Sequence, residues 1–375
     1  MKNKRHTQKE NPLIKGKDMV RRALRLVLSS FVILSSSFLL SACTDLIYDD
    51  RSDCDSGVYL SFRYDYNLQR ADMFADHVGG ITVYVFDAQG NYVTRQSEAN
   101  TPGHEPLRQK DYRMHLDLPA GEYQFVALAM QQDVDGTQQT DGDSRARFRI
   151  NAPENGSTMQ DLSVLLDHSA DGTVSHGGLP LDTLWHARSV HTVKTSTFYA
   201  VSDTLSLVRN TKQLHISLRE LSQNKEQPMD VADYDFRITD RNLRLLWDNT
   251  VDESLPTLYT PYATWNTYDK EGTTEGATAH AEFMTSRILW HESARDDARL
   301  TVTHRDTGKE VINVNLPDLL AQLRGAAEYR YAEQEFLDRG YDYRLTFFLN
   351  EGKLVEVKIE ISVLAWAVRI SYTDL

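Results

Sequence analysis

Cysteine is nearly absent: Cys43 and Cys54 stand alone in 375 residues. A disulfide framework is therefore excluded, and the chain must hold itself together through an apolar core. Cys54 lies in DDRSDCDSG, among acids that keep a thiol protonated, so a reactive thiolate is not expected there. Basic residues are also scarce, 41 Lys and Arg against 54 Asp and Glu, for a net charge of −13. Nine of the basic residues and only two acids precede residue 43, which leaves 32 against 52, or −20, for the remainder. A surface of that sign repels phosphate backbones and argues against nucleic-acid binding. The HExxH, CxxC, GxSxG and GxxxxGK[ST] patterns do not occur, so the commonest signatures of metal, redox, acyl and phosphate chemistry are missing.

Two clusters come closest to a site. Asp133, Asp135, Asp141 and Asp143 accompany Gly136 and Gly142 and invite a calcium reading. Counted from Asp133, however, positions six and twelve are Gln138 and Ser144, where an EF-hand loop needs glycine and glutamate. A solvated acidic loop is expected instead. His186 and His191, like the lone Trp290-His291-Glu292 cluster, read as polar surface or satisfied core. No catalytic residue, metal, cofactor or small-molecule substrate is expected.

Long hydrophobic runs are lacking too, apart from Leu26 to Leu40, fifteen residues without a charge preceded by Arg21, Arg22 and Arg25. As a helix this run rises roughly 22 Å, short of the ~30 Å hydrocarbon core that a permanent span must cross. It ends in Leu40-Ser41-Ala42-Cys43. A basic flank, an apolar centre and small residues before a cysteine make a secretory signal with a lipidation box. Residues 1–42 are expected to be removed between Ala42 and Cys43, with a diacylglyceryl group placed on the Cys43 thiol. Met19, directly before the basic flank, makes a conventional start. Residues 43–56 (CTDLIYDDRSDCDS) then read as an acidic tether, and the thirteen residues beyond Cys43 could reach roughly 45 Å when extended.

Beyond the tether the chain is β-rich. Val58, Leu60, Phe62 and Tyr64 alternate with Tyr59, Ser61, Arg63 and Asp65, the period of a strand with one buried face. A short helical turn through Leu68, Met73 and Phe74 leads to a hairpin, ITVYVFDAQGNYV. Two more strands surround Pro119-Ala120-Gly121. Val126 to Met130 is almost continuously apolar, as suits a strand at the centre of a sandwich, and LSVLL within 151–180 reads as the last strand of this part. The pattern resumes near residue 190. Leu214, Ile216 and Leu218 alternate, and Leu316, Leu319, Leu320 and Leu323 recur at helical spacing behind Pro317. A hairpin about Asn350-Glu351-Gly352 precedes a long terminal β segment. The expected fold is all-β: two tandem β-sandwich domains, 57–170 and 171–375, with short helical insertions.

FRYDYNLQRADMFADHVGGITVYVFDAQGNYV (62–93), PAGEYQFVALA (119–129), NTKQLHISL (210–218), Asp53-Cys54 in the tether and the ending Trp366-Ala367-Val368-Arg369 together resemble the FimB-type fimbrial anchor lipoproteins of Bacteroidales. The match departs at Leu364 and Ala365, where that family carries Asn-Pro before its tryptophan. The resemblance implies transthyretin-like sandwiches, a lipid anchor in the outer membrane facing outward, and a base on which a fimbrial shaft subunit assembles and is limited in length. An exposed sheet edge could accept a partner's strand, and 57–66 and 359–371 are the candidate exchanged elements. The alternative is a surface glycan-binding lipoprotein, for which eighteen tyrosines and five tryptophans would supply stacking platforms.

Overall fold

In the computed structural model the described residues are 56–131, 144–222, 228–326, 331–361 and 366–371. Ala42, Cys43, Cys54, nearly all of the tether, and Asp133, Asp135, Asp141 and Asp143 lie outside them.

Strands dominate. The first part carries β1 (Val58–Arg63), β2 (Gly80–Asp87), β3 (Tyr92–Ala99), β4 (Arg113–Leu116) and β5 (Glu122–Met130). Then come β6 (Phe148–Asn151), β7 (Ser163–Leu166), β8 (Thr173–Val174), β9 (Leu184–Arg188), β10 (Val193–Lys194), β11 (Val201–Ser206) and β12 (Val208–Arg209). The rest of the chain adds β13 (Lys212–Glu220), β14 (Tyr234–Asp240), β15 (Arg244–Leu246), β16 (Val251–Asp252), β17 (Thr257–Tyr259) and β18 (Ala263–Thr267). It finishes with β19 (Thr278–Thr285), β20 (Arg299–His304), β21 (Glu310–Asn315), β22 (Asp342–Asn350), β23 (Lys353–Ile361) and β24 (Trp366–Ser371). The helices are short: α1 (Phe74–His77), α2 (Leu316–Ala321) and α3 (Glu333–Arg339). The all-β expectation holds. The helix expected behind Pro317 is α2, capped by the Asn315 side chain accepting from Asp318 N, with Leu316, Leu319, Leu320 and Leu323 all buried.

β1 keeps its predicted alternation, with Val58, Leu60 and Phe62 inward and Arg63 exposed. Gly57 makes the turn into it at φ +87°, where a Cβ would stand 2.1 Å from the Leu116 carbonyl oxygen. Three strands, β11-β1-β4, face a sheet ordered β12-β9-β5-β2-β3, and one apolar cluster fills the space between them. That cluster takes alternate positions from each strand: Ile81, Val83 and Val85 of β2, and Phe125, Ala127 and Ala129 of β5. The intervening residues Tyr84, Phe86, Val126, Leu128 and Met130 are also buried, in a second cluster shared with the remaining sheets. β2 and β5 are thus covered on both faces, which is what the apolar run at Val126–Met130 encodes.

Sheet pairing crosses residue 170 in both directions. β9 to β12 return to the first two sheets, β9 beside β5 and β11 beside β1. β7, expected to close the first part, instead pairs with β15, setting Val164 opposite Leu245. Ser56 to the C-terminus forms one compact unit. A third sheet runs β18-β19-β13-β22-β23-β24, and among the described residues five- and four-stranded sheets, β21-β20-β14-β17-β8 and β16-β15-β7-β6, make up the rest.

Candidate functional site

The two segments expected to exchange strands differ in what they leave open. β1 is enclosed. All six of its residues pair in parallel with β11, Val58 opposite Val201 through Arg63 opposite Ser206, and Val58 to Ser61 pair antiparallel with β4. Val58 to Ser61 are thus paired on both sides, and only Phe62 and Arg63 lack a β4 partner. β24 pairs on one side only, with β23, from Ile361 opposite Trp366 to Glu356 opposite Ser371. It closes the six-stranded sheet, and among the described residues no strand lies along its other edge. Such an edge presents backbone N–H and C=O groups of the kind that a partner's strand satisfies.

The support behind that edge is built in steps. β22 and β23 turn at Glu351 (φ 53°) and Gly352 (φ 67°), two left-handed residues in succession, the geometry that tightens a two-residue hairpin. Glu220 of β13 locks this turn, its carboxylate accepting from Glu351 N and Gly352 N, both at 3.0 Å. Burial works to raise the Glu220 pKa, but Ser222 and these two amides together hold it below the usual carboxylate range. β13 itself lies between β19 and β22, with His215 on the half-exposed face. His215 Nδ1 is 2.5 Å from Glu282 of β19 and Nε2 is 2.8 Å from Asp342 of β22. Burial alone would lower its pKa; hydrogen bonds and charge from Asp342 and Glu282 outweigh it and bring the imidazole to about 9. Farther along the same sheet, His280 accepts or donates with Ser217 and Thr267, and Trp265 of the opposite edge strand stacks on it at 5.1 Å.

Lys212 points the other way. The parity that buries Leu214 and Ile216 also buries Lys212, whose Nζ donates to the carbonyls of Leu337, Asp338 (3.2 Å) and Gly340 (2.7 Å). An ammonium there caps the C-terminal end of α3, where unpaired carbonyls gather. Burial nevertheless pulls its pKa down to about 7. Arg287 grips the Asp338 side chain with Nε and Nη2 at 2.8 and 2.7 Å, so α3, β13 and the segment after β19 form one knot. The sequence signalled Lys212 by placing a charge on an inward position. His215 gave no such signal, since both of its partners come from distant strands.

The remaining sequence candidates do not converge. His186 is buried and pairs through Nε2 with the Trp247 carbonyl at 2.9 Å; burial lowers its pKa to about 4. His191 is exposed on a loop. His291 bridges Asp297 (2.9 Å) and Glu253 (3.1 Å), and Trp290 Nε1 donates to Asp318 at 2.8 Å. Among the described residues no three His, Cys, Asp or Glu side chains gather as metal ligands.

Comparison with known proteins gives this architecture a context. Over 298 residues the chain is 24% identical to the minor fimbrium anchoring subunit Mfa2 of Porphyromonas gingivalis, covering 78% of this chain and 80% of that protein. The structure of Mfa2 from the same organism superposes with a TM-score of 0.59, at 17% identity, over 84% of this chain and all of that one. A Bacteroides thetaiotaomicron protein provisionally described as an adhesin matches with a TM-score of 0.69 and 30% identity over 85% of this chain and 99% of that chain. Another protein of that organism, provisionally described as polysaccharide-binding, matches with a TM-score of 0.67 and 26% identity over 86% of this chain and 100% of its own. The family model of the fimbrillin-A associated anchor proteins Mfa1 and Mfa2 matches residues 51–372, and the chain belongs to that family.

Proposed function

We propose that this protein is an outer-membrane lipoprotein that holds a fimbria to the cell surface and limits its length, receiving a strand of the first shaft subunit along the β24 edge. The observation that carries this reading is the one-sided pairing of β24, set against the enclosure of β1. Lipid on Cys43, exposed by cleavage after Ala42, supplies the attachment to the membrane, and the acids behind it favour display on the outer face. We assign no catalytic role. The body comprises a sandwich completed by β9 to β12 and a second group of sheets that carries the contact edge. A photo-reactive residue at Val368 or Ile370 should cross-link to the shaft subunit, while the same probe at Arg95 of β3 should not. Equal cross-linking from all three positions would refute β24 as the contact. Cys43→Ser should abolish palmitate labelling and release fimbriae into the medium.

A second reading, surface glycan capture, is favoured by Trp265, 41% exposed and stacked on His280. Flat apolar rings of this kind bind sugar faces. Trp265→Ala would then abolish retention on one polysaccharide and leave fimbriae in place, whereas the anchor reading expects no change in either.

A further inference from the structure

One end of the first sandwich gathers exposed apolar side chains. Among the described residues Val190 is 95% exposed, Phe198 65% and Tyr199 62%, all on the loop that joins β9 to β11 around the short β10. The loop is pinned. Ser189 exchanges two hydrogen bonds with the Phe125 backbone, its N donating to Phe125 O and its Oγ accepting from Phe125 N, each 2.9 Å. Val193 and Lys194 pair with Tyr123 and Glu122. Thr195 is clamped to the turn at Pro119–Gly121, its N donating to Gly121 O at 2.9 Å and its Oγ1 to Pro119 O at 2.6 Å. The ring of Phe198 follows a tight local turn in which its N donates to Ser196 Oγ at 3.1 Å. A backbone held in this way keeps the apolar side chains in water when free, which costs free energy unless something covers them.

The same end receives the chain from residue 56. Val201 N donates to Gly57 O at 3.0 Å, so Tyr199, two residues earlier, lies within about 7 Å of chain from that point. Strand register confirms the grouping: Val58 stands opposite Leu116, Asp87 opposite Tyr123 and Phe86 opposite Tyr92, which brings the turns after β2 and β4 to this end. Residues 183–202 contain no aspartate or glutamate, in a chain whose net charge is −13. The acids at this end include Asp87, Asp117 and Glu122, with Glu154 and Asp161 flanking the segment that pairs with the turn after β2, and Asp49, Asp50, Asp53 and Asp55 precede residue 56 in sequence. Asp87 and Asp161 are engaged in closing their own turns, by accepting from Gln89 and Asn91 and from Thr158, and Glu122 faces Lys194 across the strand pair.

We propose that this end lies in the interfacial layer of the bilayer, with Phe198, Tyr199 and Val190 as a second membrane contact beside the lipid. The proposal rests on the lipid-anchored reading above. The thirteen residues from Thr44 to Ser56 span at most roughly 45 Å, which keeps the loop within reach of the surface without fixing its orientation. Aromatic rings at headgroup depth fix it, as in the aromatic belts of spanning proteins. An acyl chain resists extraction; the loop sets which way the body stands.

The test uses the full-length protein purified from the membranes of expressing cells, with Cys54→Ser and an environment-sensitive fluorophore on Thr197→Cys or, at the opposite end, on Thr101→Cys. Each is reconstituted into vesicles of phosphatidylethanolamine and phosphatidylcholine, with and without nitroxide-labelled lipid. Both forms should float with the vesicles, and the label at 197 should be quenched several-fold more than that at 101. Phe198→Ser with Tyr199→Ser should erase that difference while flotation persists. Flotation with equal quenching at 197 and 101 overturns the proposal alone; a protein that does not float overturns the lipid anchor and the proposal with it.

Discussion

His215 offers a test of the sheet that carries the β24 edge, because it joins three strands through one titrating group. Its imidazole holds a proton up to pH about 9 in the folded protein, against 6.5 for the free side chain. Below pH 6.5 folded and unfolded chains are both protonated, and the full advantage of the Glu282 and Asp342 contacts is present. Between 6.5 and about 9 the unfolded chain has released its proton while the folded one retains it, so stability falls as pH rises; above about 9 the contribution is gone. At 1.36 kcal/mol per unit the shift corresponds to ~3 kcal/mol, and partial solvent access brings the expected figure to ~2–3 kcal/mol. His215→Asn keeps hydrogen-bonding capacity without the charge. Urea unfolding of both forms from pH 5 to pH 10, with residues 1–42 absent, should show a stability difference that is largest at acid pH and shrinks across that window. Taking the difference cancels every group the two forms share. A gap independent of pH would refute the charge account, and an imidazole C–H resonance titrating near 6.5 would refute it directly.

Lys212→Met should destabilise the fold by about 3 kcal/mol or more, since it leaves buried carbonyls at the end of α3 without a donor; the same denaturant titration measures it. Gly57→Ala should cost more than about 2 kcal/mol, because its left-handed backbone is combined with a clash against the Leu116 carbonyl. Gly103→Ala, at φ +89° with open space around it, should cost only about 1 kcal/mol, and comparable losses at both glycines would discount the clash. Cell-bound protein should begin at Cys43 and remain uncut after Arg51, Arg63 and Arg70; mass spectrometry finding a later N-terminus on membrane-held chains would contradict the anchor reading.

Alternation made the strands legible, and it did so where side chains see only two environments. β1 and β22 were readable because Leu60 and Leu345 take one face in strict turn, β2 and β5 because their runs are apolar on both faces, and α2 because Leu316 to Leu323 shift to the helical period. Neighbours were not readable. Alternation states which face is buried but not which strand lies alongside, so the pairing of β7 with β15 and the return of β9 to β12 to the first sheets could not be foreseen. Burial of β2 and β5 on both faces couples the two apolar clusters, and a reading that counts turns and linkers has no access to that coupling. For the contact site, the terminal segment 359–371 was identified from its position and β character, whereas the enclosure of 57–66 depends on β11, more than 130 residues away in sequence. Lys212 could have been found by parity; His215 could not, because Glu282 and Asp342 meet it only through register.

The enclosure of β1 has a mechanical consequence for an anchor. Val58, Leu60, Phe62 and Tyr64 are essentially fully buried. At ~1.5–3 kcal/mol each, their exposure would cost ~6–12 kcal/mol, comparable with the whole stability of a typical domain. Exchanging β1 would thus unfold the body unless a donor strand replaced it at once, whereas adding a strand beside β24 removes nothing already packed. Tension from a shaft held at β24 would reach a lipid on Cys43 only through β1, entering at Gly57 and running along the strand axis. A pull in that direction loads the β1–β11 and β1–β4 ladders together in shear, so their hydrogen bonds must break in concert; a pull across an edge strand would open them one at a time. β1 is paired on both sides from Val58 to Ser61, whereas β24, the last strand described, is paired on one. Such an arrangement suits a body fixed through its first strand and extended through its last.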